Sequence, residues 1–87
     1  MKLQYELIAR NVAGGDYLVP IGATLHRYNG LFSLSETGAF LWSHLEKAQS
    51  AQELARLLWE EFEVEYDQAV FDTTEFLACL REMELLK

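Results

Sequence analysis

The sequence predicts an α+β domain, a three-stranded antiparallel sheet followed by three helices. Between positions 5 and 34 apolar residues recur at a period near two, broken by Gly-rich and Asn-Gly turn signals. From Gly38 onward the period lengthens to about 3.6, which puts Gly38, Leu41, Trp42 and Leu45 on one face. The change falls inside one stretch, Gly30 to Leu45, where a short apolar run passes directly into a helix start.

The first strand is expected over about 5–12. Tyr5, Leu7 and Ala9 form one face, and Ile8 and Val12 lie on the other with Glu6 and Arg10. Ala13-Gly14-Gly15-Asp16 is turn chemistry, because Gly reaches positive φ at little cost. The second strand follows over about 16–20, and the pair reads as a hairpin. Pro20 lacks a donor and belongs at a strand end, an edge or a bulge. After a bend at Ile21-Gly22-Ala23, Thr24 to Tyr28 extends this strand up to the Asn29-Gly30 turn. The third strand is Leu31 to Leu34.

The first helix is expected over about 36–47, with the Ser35 hydroxyl as N-cap and Glu36 as the negative charge of the first turn. Ser50 and Glu53 match a capping box, so the second helix runs over about 51–63. Ala51, Leu54, Ala55, Leu58 and Phe62 form its buried stripe; Glu53, Arg56, Glu60 and Glu61 cover its wet face. Asp67 is the candidate N-cap of a third helix over about 68–83. Its central stripe is Ala69, Thr73, Phe76, Leu80 and Met83, widened by Leu77, and Leu85-Leu86 folds back on the core.

A chain of 87 residues supports one domain, 1–87, that buries roughly 60–65% of its unfolded surface. With 51% hydrophobic and 24% charged residues it is globular. The net charge of −7 disfavours nucleic acid and anionic membranes, which need a cationic footprint. Cys79 stands alone, which excludes an intramolecular disulfide and fits a reducing compartment. No apolar run approaches the ~18–20 residues of a membrane span, and the first ten residues do not form a signal peptide. The expected location is the cytoplasm.

The inventory for catalysis is empty. His26 and His44 have no cysteine nearby and no further ligands at metal-site spacing. Cys79, one turn from Phe76 and Leu80, reads as a packing residue. Glu60, Glu61, Glu63 and Glu65 read as a solvated face, and no Lys-Ser/Thr follows Gly14-Gly15 to make a phosphate loop. No catalytic residue, metal or cofactor is therefore expected.

Two features point to binding. The strand Leu31-Phe32-Ser33-Leu34 comes last in a meander and carries none of the charges or prolines that guard an edge. Such an edge accepts an extended peptide as an added strand. The third helix also carries apolar or small residues beyond its central stripe. Val70, Thr74, Leu77, Ala78 and Arg81 form the expected groove wall, with Arg81 placed to meet an acidic peptide residue. The opposite flank, Asp72 and Cys79, is the alternative that the sequence leaves open.

Three blocks then resemble one family. Leu34-Ser35-Glu36-Thr37-Gly38-Ala39-Phe40-Leu41-Trp42 resembles the L-N-x-T-G-x-x-I-W junction of the PqqD-like family. Ser50 to Leu58, with Phe62 and Val64, is similar to its second helix. Asp72-Thr73-x-x-Phe76-Leu77-x-x-Leu80, closing in Leu85-Leu86, resembles its D-V-x-x-F-L-x-x-L-x-x-x-G-L-L. Ser35 stands for the family's Asn, Thr73 for Val, Glu84 for Gly, and Ala48-Gln49 for the Gly that closes the first helix. The resemblance implies a winged helix-turn-helix fold and the work of a precursor-peptide recognition element. Such a peptide chaperone binds the leader of a ribosomally made precursor peptide and presents it to a modifying enzyme, often a radical SAM protein. It further implies strand addition on Leu31–Leu34 against the third helix.

The rival reading on the same fold is a winged-helix DNA-binding regulator. The third helix opposes it: over Asp67 to Glu84, Asp67, Asp72, Glu75, Glu82 and Glu84 stand against Arg81 alone, a balance that repels phosphate. A fluorescence-anisotropy titration with random duplex DNA at low salt is expected to show no binding in the micromolar range. Tight, salt-sensitive binding would restore the regulator.

Overall fold

The computed structural model describes Met1, residues 7–22 and residues 32–86. Three strands and three helices follow one another: β1 (Leu7–Val12), β2 (Gly15–Pro20), β3 (Phe32–Leu34), α1 (Glu36–His44), α2 (Ala51–Glu61) and α3 (Tyr66–Glu82). The expected extension over Thr24–Tyr28, the Asn29-Gly30 turn and the strand residue Leu31 lie outside the described residues. No described helix is long and apolar enough to cross a membrane.

The sheet is antiparallel in the order β1-β2-β3. Val12 pairs with Gly15, so the β1–β2 turn contains only Ala13 and Gly14. Both lie at positive φ, 52° and 83°, as the right-handed twist of a two-residue hairpin requires. Across that turn Asn11 Nδ2 donates to Asp16 Oδ1 at 3.2 Å. Pro20 ends β2 opposite Leu7, beyond the Leu18–Phe32 pair where the described β2–β3 ladder stops. Its missing donor therefore falls at a strand end.

β3 passes into α1 through one residue. The Ser35 side chain accepts from Gly38 N at 3.0 Å. A Cβ on Gly38 would stand 3.1 Å from that hydroxyl, crowding the cap, and 3.6 Å from Leu34 Cδ2, an ordinary contact. α1 ends as a regular helix at His44, short of the expected 47. The chain keeps turning through residues 45–47, with Leu45 N donating to Trp42 O and Ala48 N to His44 O.

At α2 the Ser50 side chain accepts from Glu53 N. The reciprocal arm is shifted by one residue, Gln49 N donating to Glu53 Oε2 at 3.4 Å. The helix ends at Glu61, two residues early, because Phe62 turns extended (φ −109°, ψ 149°). Phe62 then packs edge-on against Phe40 of α1, with ring centroids 5.5 Å apart. Trp59 and Tyr66 repeat that geometry across the α2–α3 corner.

α3 begins two residues earlier than expected. Its N-cap is Glu65, which makes no side-chain capping bond. Asp67 is instead a first-turn residue, where its charge favours the positive helix end. The C-terminus closes as a Schellman motif: Leu85 N donates to Leu80 O and Glu84 N to Arg81 O. Glu84 takes the left-handed position, φ 59°, which a non-glycine residue occupies at a cost of about 1–2 kcal/mol. The motif drives Leu85 (0% exposed) and Leu86 into the core.

Leu7 and Leu18 from the sheet meet Leu41, Leu45, Leu54, Leu58, Ala69, Leu77 and Leu80 from the helices. Ala51 of the expected α2 stripe is exposed, and Ala48 is buried instead. The stripe of α3 is rotated from the expected one: Ala69, Thr73, Leu77 and Leu80 are buried, while Phe76 and Met83 are only partly so. Thr73 Oγ1 is buried with no hydrogen-bond partner.

An unsatisfied buried hydroxyl costs more than the apolar group of the same shape that could replace it. Thr73→Val is therefore expected to stabilise the domain by about 1 kcal/mol, read as a rise of roughly 4–8 °C in Tm. A neutral or destabilising result in thermal denaturation would mean that the hydroxyl is satisfied in solution.

Candidate functional site

β3 ends the sheet order, so its ladder to β2 uses one side of the strand. The ladder is short: Asp16–Leu34, Tyr17–Ser33 and Leu18–Phe32. Strand alternation puts Phe32 and Leu34 on the face that Leu18 turns into the core, and Ser33 on the other. Phe32 and Leu34 are half-buried and Ser33 is exposed. None of the three is charged or a proline, the residues that usually guard an edge.

Beside this strand lies an open groove of about 270 Å³. Leu18, Phe32, Leu34, Leu41 and Leu80 give it an apolar floor. Ser35, Thr37 and Gly38 close it at the start of α1, and Asp72, Glu75, Phe76, Cys79 and Met83 form its α3 wall. Those five wall residues share one side of α3, three, four or seven positions apart. Gln68 Nε2 donates to Asp72 Oδ1 at 2.8 Å, which holds one carboxylate against its own helix. Glu75 and Cys79 are exposed.

Phe32, Ser33 and Leu34 thus stand where the sequence reading puts them, at the groove. Val70, Thr74, Leu77, Ala78 and Arg81 do not line it. Leu77 is 2% exposed and belongs to the core. Val70, Thr74, Ala78 and Arg81 are exposed on the far flank, where the Thr74 hydroxyl donates back to Val70 O. The groove beside β3 uses the alternative flank, Asp72 and Cys79. The reason is rotational. Helix α3 turns Ala69 and Thr73 inward and keeps Leu77 between helices, which swings Phe76 and Met83 out of the stripe and into the groove. The sequence signal for this phase is faint: two small residues, Ala69 and Thr73, one turn apart, mark where α3 comes close to its neighbours.

The far flank is apolar in part. Trp59 (45% exposed), Tyr66, Val70 and Phe71 reach solvent. The acidic run lies near it, Glu60, Glu63 and Glu65 lining a shallow depression with Trp59, Phe62 and Val64. Among the described residues no group of three or more His, Cys, Asp or Glu side chains is placed to hold a metal ion.

The sequence model of the family described as "Coenzyme PQQ synthesis protein D (PqqD)" matches residues 18–86. No curated protein matches. Two solved structures share the fold. One, titled "Lasso peptide synthetase B1 complexed with the leader peptide", is 23% identical with a TM-score of 0.70, covering 97% of this chain and 93% of its own. The other, "TbiB1 in Complex with the TbiA(beta) Leader Peptide", is 23% identical with a TM-score of 0.72, covering 100% of this chain and 95% of its own.

The exposed thiol reports on the groove. Cys79 is expected to react with a maleimide in the folded protein nearly as fast as in denaturant, measured by mass spectrometry over time. Strong protection of the free protein would mean that the groove is closed in solution.

Proposed function

The chain belongs to the PqqD family, and from that membership we propose that it is a non-catalytic module that captures the leader of a ribosomally synthesised precursor peptide. The leader adds to β3 as a further antiparallel or parallel strand and lays its side chains in the groove against α3. The observation that carries this is one juxtaposition. An uncharged strand that stands last in the described sheet order runs along an open apolar groove walled by a helix. Backbone hydrogen bonds along the edge supply affinity for any extended chain, and the groove reads alternate side chains. The two structural neighbours carry leader peptides in their titles, which supports the same ligand class here.

The chain's role is then to bring substrate to an enzyme. A leader held on a module that also touches the enzyme delivers the core peptide at roughly millimolar effective concentration for a short tether. The family resemblance points to a radical SAM enzyme as that partner, and one neighbour's title names a lasso peptide synthetase; the physical task is the same in either system. The DNA-binding alternative has no support in α3, whose charged residues are Asp67, Asp72, Glu75 and Glu82 against Arg81.

Two tryptophan substitutions separate the flanks of α3. Cys79→Trp, from an exposed position in the groove, is expected to weaken binding of the leader encoded beside this gene by at least about tenfold, ~1.4 kcal/mol. Ala78→Trp, exposed on the far flank, should leave it within about twofold, under ~0.5 kcal/mol. The reverse pattern in a calorimetric titration would return the site to Val70, Thr74, Ala78 and Arg81. In an NMR titration the amides of Phe32, Ser33 and Leu34 should shift most. Binding without those shifts would exclude strand addition.

A further inference from the structure

We propose, resting on the leader-docking reading above, that the groove selects a peptide that is apolar on the side facing α3 and carries a lysine or arginine opposite Asp72 and Glu75. Among the described groove-lining residues those two carboxylates are the only charged side chains. They lie three positions apart on one side of the helix, next to the apolar surface of Phe76 and Leu80. The start of α1 also borders the groove, and a helix N-terminus by itself attracts anions. Here that end is already answered, since Ser35 accepts from Gly38 N and Glu36 stands in the first turn. The field set by the described groove residues is therefore negative.

An extended peptide on β3 turns every second side chain toward α3. A cation at one of those positions gains attraction from Asp72 and Glu75, and an apolar side chain at the next covers the floor. A peptide carboxylate at the same place meets two like charges beside an apolar surface, where water screens them less than in bulk. The net charge of −7 adds a general pull on cationic peptides and speeds their encounter. The local pair decides which register of the peptide is held.

The test uses three synthetic dodecapeptides of alternating leucine and threonine that differ at two leucine positions, replaced by lysine, glutamine or glutamate. Binding is read by fluorescence anisotropy with the wild-type protein, Asp72→Asn/Glu75→Gln, and Glu61→Gln/Glu63→Gln. The two double variants change net charge equally, and Glu61 and Glu63 are exposed outside the groove. Wild type should prefer the lysine over the glutamate peptide by about tenfold. That preference should fall to about twofold or less in Asp72→Asn/Glu75→Gln and persist in Glu61→Gln/Glu63→Gln. It should also shrink as salt is raised. Equal binding of all three peptides overturns the charge selection and leaves the docking reading intact. An equal loss of preference in both double variants also overturns it, in favour of net charge alone. No binding of any peptide, with Cys79 alkylation unaffected, overturns both.

Discussion

The capped junction between β3 and α1 holds the rest of the molecule in place. Strand ends at Leu34 and helix starts at Glu36, with only Ser35 between them. The Ser35 hydroxyl occupies a donor that α1 would otherwise leave unpaired. The missing side chain of Gly38 leaves room for the Ser35 hydroxyl, which a Cβ would approach to 3.1 Å. A junction without slack fixes the strand relative to the helical layer. Leu18 and Leu41 then line the same groove floor, with β3 last in the described sheet order.

Helix α3 supplies the second wall, and its rotation is a packing result. Its buried residues are Ala69, Thr73, Leu77 and Leu80. Two of these are small, which lets α3 lie close to its neighbours and holds the larger Phe76 and Met83 at the rim. Both ends of the helix are set by the chain on either side. Trp59 stacks edge-on with Tyr66 at the N-terminus, and the Schellman closure buries Leu85 at the C-terminus. Glu84 holds the left-handed position of that closure.

These constraints give the molecule two unlike faces. On one, an edge strand runs beside an apolar floor with Asp72 and Glu75 at its lip. On the other, Val70, Thr74, Ala78 and Arg81 are exposed with Trp59 and Tyr66 nearby. The two faces are the opposite flanks of one helix, α3. The groove is open, and among the described residues its ionisable groups are two carboxylates and one thiol.

Local chemistry determined most of this architecture in advance. The order of elements, the glycine turn after β1, the Ser35 and Ser50 caps, the edge position of β3 and the return of Leu85-Leu86 to the core were all legible in the sequence. Each depends on residues within a few positions of one another, or on a simple period. The start of α3 was misjudged because Asp67 is a good cap by type, whereas Glu65 holds the position in the structure without a side-chain bond. The groove wall needed the tertiary structure. The apolar arc of α3 runs from Met83 and Phe76 through Ala69, Leu80 and Thr73 to Leu77, and either end of that arc satisfies the helical period. Which end enters the core depends on how closely α2 and the sheet approach α3. That distance is set by the small side chains of Ala69 and Thr73 and by the capped junction that fixes β3, contacts made across the sequence rather than along it.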